Sequence, residues 1–199
     1  MKKFKLTSEF IVDISGVKLF RIKALIEFGN VKAGDLGGYI EKEENLSHMG
    51  NAWVSGNAQV SGDARVSGDA RVSGNAWVSG NAQVSGDAQV FGDARVSGNA
   101  QVSGDARVSG NARVSGDAQV FGDARVSGDK DYAYAHGFGS CNRTTTFFRL
   151  KDGDVGVRCG CFYGTLAQFR DNVCETHGET KKAQEYLMLA DLMDFRFKN

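Results

Sequence analysis

The sequence predicts a mostly β protein: a β solenoid preceded by a small β cap and followed by an α+β domain. Thirteen consecutive six-residue units run from Asn51 to Gly128, and within them alanine, valine and glycine each return at every sixth position. The segments on either side lack this repeat, and the C-terminal one alternates strand-like and helical patterns. Repeats of a fixed short period are typical of solenoids, in which each unit packs on its neighbours.

Residues 1–39 form the predicted N-terminal β cap and the lead-in to the repeats. Residues 18–22 and 24–28 are rich in strand-forming side chains. Gly16 and the pair Gly29-Asn30 mark turns beside these two segments.

The repeating unit, Ala-x-Val-Ser-Gly-Asn/Asp, predicts which side chains are buried. Side chains alternate along Ala-x-Val-Ser, so alanine and valine fill the interior, while glycine with Asn or Asp makes the corner. We expect this solenoid to span residues 40–138. Leu46 and His48 belong to a degenerate first unit, with His48 in a valine position, and Tyr132 and Phe138 continue the valine phase at the far end.

Composition argues against several classes of protein. The chain has 24 basic and 24 acidic residues, so no overall field favours nucleic acid or an anionic membrane. The N-terminal residues include no long apolar stretch, which predicts neither a signal peptide nor a transmembrane helix. We therefore expect a cytoplasmic protein whose four cysteines are reduced.

The unit Val-Ser-Gly-Asp/Asn-Ala-x resembles the hexapeptide repeat of left-handed parallel β-helix proteins. The lead-in from Asn30 to Ile40, followed by Asn45-Leu46-Ser47, is similar to hexapeptide proteins of bacteria and their phages, often labelled polymer-forming or transferase. The resemblance implies a left-handed helix with three units per coil and a trimeric homo-oligomer. It also implies a phage-type protein that works in the cytoplasm of a bacterial host.

Three classes of function stay open at this point. The preferred hypothesis is a non-enzymatic interaction protein, with the solenoid as a rigid scaffold or oligomerisation element and the C-terminal domain contacting a host or viral protein. A role in inhibiting a host factor is one form of this hypothesis. The second class is an acyltransferase-like enzyme, in which His48 or His136 acts as a general base across a subunit boundary. The third is a self-assembling filament.

The outward side chains of a three-unit coil should stack at intervals of 18 residues. Gln83, Gln101 and Gln119 then form a column above Arg65, and Arg107 stacks with Arg125 on a second face. Two further pairs differ in spacing: Trp53 and Trp77 lie 24 residues apart, and Phe91 and Phe121 thirty apart. Because neither spacing is a multiple of 18, no aromatic stripe for stacking nucleic acid bases is expected.

The C-terminal domain, residues 139–199, is predicted as a ββαα unit. Residues 144–150 and 155–163 form a hairpin with Asp152-Gly153 at its turn. Thr165 and Gln168 form a capping box that opens a first helix ending at Gly178.

A second helix is predicted from about Thr180. Its apolar residues at helical spacing predict one buried face, formed by Ala183, Leu187, Ala190 and Met193. We expect the specific contact with a partner protein to be made from this C-terminal domain. The predicted contact residues are Phe147, Arg149, Arg158, Phe162 and Tyr163.

The remaining polar chemistry lies in the same domain. Cys159, Cys161, Cys174 and His177 match the donor types of a structural zinc site. However, Cys159 and Cys161 continue the phase of Val155 and Val157, which favours buried free thiols and no metal. No cofactor is expected. The polar residues 137–143 predict a linker between the solenoid and the compact domain.

Overall fold

A computed structural model describes residues 2–139 and 143–198 of the chain. The N-terminal cap comprises strands β1 (Phe4–Val12), β2 (Lys18–Ala24) and β3 (Leu36–Ile40), which pair in sequence as antiparallel neighbours. The second strand predicted in this region, at residues 24–28, is wrong, because this segment carries only an isolated bridge between Phe28 and Val31.

The solenoid consists of thirteen two-residue strands, one in each repeat unit. They are β4 (Trp53–Val54), β5 (Gln59–Val60), β6 (Arg65–Val66), β7 (Arg71–Val72), β8 (Trp77–Val78), β9 (Gln83–Val84), β10 (Gln89–Val90), β11 (Arg95–Val96), β12 (Gln101–Val102), β13 (Arg107–Val108), β14 (Arg113–Val114), β15 (Gln119–Val120) and β16 (Arg125–Val126).

Each solenoid strand pairs in parallel with the strand three units away, so the coil has three sides. Gln89 lies beside Arg107, for example, and Arg107 beside Arg125. The three sheets run in the orders β3-β5-β8-β11-β14, β4-β7-β10-β13-β16 and β6-β9-β12-β15, and β1 and β2 extend the first of them. The predicted columns of glutamine and arginine are confirmed by these registers.

The interior of the solenoid is a continuous core of alanine and valine. Every Val from Val54 to Val126 and every Ala from Ala52 to Ala124 in the units is buried. The corner glycines adopt positive φ where one coil passes close to the next. An added β-carbon on Gly68 (φ +67°) would lie 2.9 Å from the Gly86 nitrogen, so these positions require glycine.

Asparagine side chains link successive coils along two of the corners. Asn75 Nδ2 donates to Asp93 Oδ1, and at another corner Asn99 Nδ2 donates to Asp117 Oδ1, with distances of 3.1 and 2.9 Å. Each of these residues pairs with the one a full coil further on. The corners therefore add side-chain hydrogen bonds to the backbone bonds between coils.

The first coil is two residues longer than the others. Tyr39 pairs with Gln59 and Leu46 with Val66, offsets of 20 residues, whereas Trp53 pairs with Arg71 at an offset of 18. Leu46 therefore stands beside Val66, in the position that the repeat phase assigned to His48. The prediction that His48 fills a valine position is wrong, because the extra residues displace it to the rim of the coil, where it is half-buried.

The C-terminal domain contains a four-stranded antiparallel sheet and two helices. Its strands are β17 (Tyr132–Phe138), β18 (Arg143–Arg149), β19 (Val155–Cys159) and β20 (Phe162–Thr165), and its helices are α1 (Leu166–His177) and α2 (Lys181–Phe197). The predicted two-stranded unit thus has four strands, because residues 155–163 turn back at Gly160-Cys161 and Tyr132–Phe138 joins the same sheet.

Both helix boundaries follow the predicted capping residues. Thr165 Oγ1 accepts a hydrogen bond from the Gln168 amide, and Gly178 ends α1 with a positive φ of 58°. Thr180 caps α2 in the same manner as Thr165 caps α1. The predicted linker includes residues 140–142, which lie outside the described part of the chain.

Candidate functional site

The C-terminal sheet is a layer between the end of the solenoid and the two helices. Side chains alternate along its strands, so that Phe148 joins the solenoid core while the adjacent Phe147 joins the core beneath the helices. Thr146 Oγ1 accepts the Gln119 amide of the last coil, and the Tyr132 hydroxyl donates to the Arg113 carbonyl oxygen. The sheet therefore closes the solenoid and carries the helices at its distal end.

Two of the five predicted contact residues belong to the helical core. Phe147 is fully buried and meets Phe169 edge-to-face, with ring centroids 6.1 Å apart. Phe162 is half-buried, and its ring lies 5.5 Å from that of Phe169. Phe147 is consequently a core residue with no surface to offer a partner, a correction that follows from its inward phase on β18.

Arg158 and Tyr163 face the solenoid instead. Arg158 Nε donates to Gln119 Oε1 at 3.2 Å, and its guanidinium lies over the Phe121 ring at 4.9 Å from the centroid. The Tyr163 hydroxyl lies against Gly122, and burial together with the charge of Asp123 raises the pKa of this phenol. Both residues therefore fix the sheet on the last coil.

Arg149 ties the sheet to the end of α2. Its Nη2 donates to the Phe197 carbonyl oxygen at 2.7 Å, its Nη1 donates to the Gly153 carbonyl oxygen at 3.0 Å, and its guanidinium lies over the Phe197 ring. These bonds fix the C-terminal turn of α2. Of the five predicted contact residues, Tyr163 exposes the most side-chain surface, and it is committed to the junction as well.

The largest apolar feature on the outside of this domain lies on α2. Met188, Leu192 and Phe195 are 71%, 56% and 72% exposed and follow one another at intervals of four and three residues. The opposite face of the helix is buried and comprises Ala183, Tyr186, Ala190, Met193 and Phe197. We call the three exposed residues the α2 stripe. Large apolar side chains grouped on an exposed face mark interaction surfaces.

The α2 stripe lies outside the single helical face that the sequence pattern predicts. The predicted buried face through Ala183, Ala190 and Met193 is confirmed, but that phase gives no role to the apolar residues on the other side. The signal was present, since a surface helix ordinarily has one apolar face and a polar opposite face. Apolar residues on both faces of α2 indicate that the second face also has a neighbour to meet.

The four predicted zinc donors do not converge. Cys159, Cys161 and His177 line one cavity of about 420 Å³ between the β19–β20 turn and the helices, whereas Cys174 is exposed on α1. In residues 2–139 and 143–198, no group of three or more His, Cys, Asp or Glu side chains is placed to hold a metal ion. Cys161 is also exposed at the turn, so its prediction as a buried thiol is wrong.

His48 lies in a cavity of about 640 Å³ beside the first coil, lined also by Glu43, Ser47 and Arg65. Its ring stacks on Phe4 with centroids 4.4 Å apart, and its Nδ1 is 3.2 Å from the Lys3 backbone nitrogen. A backbone N–H can only donate, so Nδ1 is the acceptor and the proton of the neutral ring resides on Nε2. Nε2 lies 3.9 Å from Glu43 Oε2, where it is placed to donate and not to remove a proton.

His136, the second histidine considered as a base, lies on the outer part of β17. Its Nδ1 is 2.9 Å from Thr144 Oγ1 on the neighbouring strand, in an exposed setting. A hydroxyl can donate or accept, so this contact fixes the ring without assigning its proton. The two histidines lie at opposite ends of the chain's fold, His48 by the N-terminal cap and His136 in the C-terminal sheet.

Helices long and apolar enough to cross a membrane are absent from the described residues. The family model of the YdcK beta solenoid repeat matches residues 58–71, 64–86, 88–104, 100–116 and 106–120. These matches all lie in the solenoid and together cover less than a third of the chain. A search of curated proteins gave no match.

Proposed function

The chain is a β-solenoid repeat protein, and we propose that it is a non-enzymatic interaction protein of phage type. The observation that carries this proposal is the α2 stripe, three large apolar side chains exposed on one helix face at the distal end of the molecule. In this proposal the solenoid is a rigid scaffold and the C-terminal domain meets a host or viral protein in the bacterial cytoplasm.

The closed ends of the solenoid support a scaffold rather than a filament. At the N-terminal end, Lys3 Nζ donates to the carbonyl oxygens of Gly50 and Ala52 at 3.2 and 2.8 Å. At the other end, Tyr132 and Phe148 complete the core. Both termini of the stack are thus occupied by the chain's own residues, and end-to-end addition of a second solenoid would have to displace them.

The setting of His48 supports a non-enzymatic role. In a histidine base, one ring nitrogen is held by an acceptor and the other is left unprotonated toward the substrate. In this chain Nδ1 is occupied by the Lys3 N–H, so the ring has the opposite tautomer. Glu43, the carboxylate beside it, also pairs with Lys2 at 2.7 Å.

Capture from a bacterial lysate with three forms of the full chain tests the proposal. The forms are the parent, the double variant Met188→Gln/Leu192→Gln, and Ile14→Gln. Glutamine is a good helix former, so the double variant removes apolar surface without disfavouring α2. Ile14, 89% exposed in the N-terminal cap, gives the same kind of change at the opposite end.

We expect a partner that the parent and Ile14→Gln retain and that the double variant loses. A partner retained equally by all three forms would exclude the α2 stripe as its binding surface. The trimeric state implied by the family resemblance is a separate prediction, and light scattering of the parent over a range of concentrations measures it.

A further inference from the structure

We propose that the α2 stripe binds an amphipathic helix of the partner protein and that the flanks of this partner helix are acidic. This inference rests on the proposed function, because it takes the α2 stripe as the binding surface. It adds the shape and the charge of the occupant, both of which follow from side chains on and beside α2.

The spacing of the stripe fits a helical occupant. Met188, Leu192 and Phe195 repeat at four and three residues, the pattern by which two helices pack side by side. α2 has 17 residues, which corresponds to a length of about 25 Å. The helix is held along this length by its buried face and by Arg149 at its C-terminal turn. It therefore offers a straight, preformed ridge to an apolar face of similar length.

The charges beside the stripe favour an acidic partner. Lys181 and Lys182 occupy the first turn of α2, which contains no acidic residue. Cations are disfavoured at a helix N-terminus by the helix dipole, so these two lysines work against the stability of the helix that they begin. Within the described residues neither lysine has an ion-pair partner. An acidic group on a bound helix would compensate both.

The acidic residues of α2 are largely neutralised by the chain itself. Asp191 pairs with Arg170 of α1, and Asp194 pairs with Lys198 at the end of α2. Glu185 Oε2 accepts the Gly139 amide. Arg196 adds a further positive charge near the other end of the stripe, bonded to a backbone oxygen. The rim of the α2 stripe is therefore net basic.

The same charges argue against a second copy of this chain as the occupant. In an antiparallel pair of α2 helices, the lysines at one end would face Arg196 of the other copy, and in a parallel pair they would face each other. Both arrangements place like charges together. An anionic membrane is also a poorer fit, because polybasic membrane sites typically contain about four to eight clustered basic residues, more than this rim offers.

Two designed peptides test the inference with the full-length protein. Both have about 18 residues, to match the length of α2, and carry leucine at heptad spacing. Their flanking positions are glutamate in one and lysine in the other. Binding of the labelled peptides is measured by fluorescence anisotropy. We expect the glutamate peptide to bind the parent roughly tenfold more tightly, with a difference that shrinks as salt is added, because each exposed ion pair contributes modestly.

Variants separate the charge of the rim from the stripe itself. Lys181→Glu/Lys182→Glu reverses the rim charge at positions where glutamate favours the helix dipole, so α2 remains formed. This variant should abolish or reverse the preference for the glutamate peptide. Met188→Gln/Leu192→Gln should lose both peptides, and Ile14→Gln should behave as the parent.

The outcomes distinguish the inference from the proposed function. Equal binding of both peptides by the parent, or an unchanged preference in the double lysine variant, would overturn the acidic-helix inference. If the lysate partner were still lost with Met188→Gln/Leu192→Gln, the proposed function would stand. Binding of anionic phospholipid vesicles that depends on Lys181 and Lys182, with neither peptide bound, would overturn the inference in favour of a membrane surface. A concentration-dependent dimer abolished by Met188→Gln/Leu192→Gln would overturn it in favour of self-association.

Discussion

Arg158 Nε donates a hydrogen bond to Gln119 Oε1 across 3.2 Å, and this contact joins the C-terminal sheet to the last rung of the glutamine column. The same guanidinium covers the Phe121 ring. Arg158→Leu keeps much of the side chain's bulk but removes both interactions, so we expect a loss of about 1–2 kcal/mol of stability. Urea denaturation of the full chain measures this loss.

Gln101→Ala is the matched control for Arg158→Leu. Gln101 is the register neighbour of Gln119 one coil earlier, away from the C-terminal sheet. Its replacement should change the urea midpoint little. An equal loss in the two variants would show that the glutamine column, and not the junction with the sheet, is responsible for the stability.

Val90→Asp should open or unfold the solenoid. Val90 is fully buried between Val72 and Val108 of the neighbouring coils, so the carboxylate would be placed in an apolar interior without a partner. We expect a loss on the order of 4 kcal/mol or more, measured by thermal denaturation. Gln101→Lys, an outward change, should melt close to the parent. A parent-like melting temperature for Val90→Asp would contradict the inward assignment.

Gly68→Ala tests the need for glycine at a corner. The residue has φ +67°, and an added β-carbon would lie 2.9 Å from the Gly86 nitrogen. The left-handed conformation alone costs an alanine about 1–2 kcal/mol, and the close approach to the next coil adds to this cost. Gly128→Ala is the comparison, since Gly128 is extended and open space surrounds its β-carbon position. Similar stabilities in the two variants would refute the requirement.

Lys3 should make stability rise with pH above pH 8. Burial lowers the pKa of this ammonium group from 10.5 to about 8 in the folded protein, although the charge of Asp69 opposes the shift. Between these two values the unfolded chain binds more protons than the folded one, so the free energy of unfolding increases with pH, by at most about 1.4 kcal/mol per unit. Below pH 8 the group is protonated in both states and the slope disappears.

Lys3→Met isolates this contribution. The variant loses the bonds to the Gly50 and Ala52 carbonyl oxygens and should be less stable at neutral pH, but its slope between about pH 8 and pH 10 should be flatter. Tyr132 and Tyr163 have raised pKa values and act in the opposite direction at higher pH, so the window ends there. Chemical denaturation at a series of pH values gives both slopes, and identical slopes would exclude Lys3 as their source.

The solenoid was predictable from sequence because one local pattern determines it. Valine at every sixth position is buried from Val54 to Val126, and the registers follow from that period. The prediction failed at His48 because the period was extended across a coil that contains two additional residues. A change in coil length leaves the valine phase intact on either side of it, so the repeat alone does not reveal it.

The C-terminal domain was less predictable because its elements depend on tertiary contacts. The capping residues Thr165 and Gly178 act locally, and the helix ends predicted from them were right. The turn at Gly160-Cys161 and the pairing of Tyr132–Phe138 with β18 depend on the sheet packing over the solenoid. Arg158 was expected to contact another protein, but its partner is Gln119 of the same chain, 39 residues away.

The six-residue unit and the 18-residue register together give the molecule two independent adjustments. Insertion of three units would lengthen the solenoid by one coil, about 4.8 Å, and leave the C-terminal domain facing the same way. Insertion of one unit would turn that domain by about a third of a revolution around the solenoid axis, since three units complete a coil. Duplication or loss of nearly identical units would thus change the reach and the direction of the α2 stripe without altering the chemistry of the core.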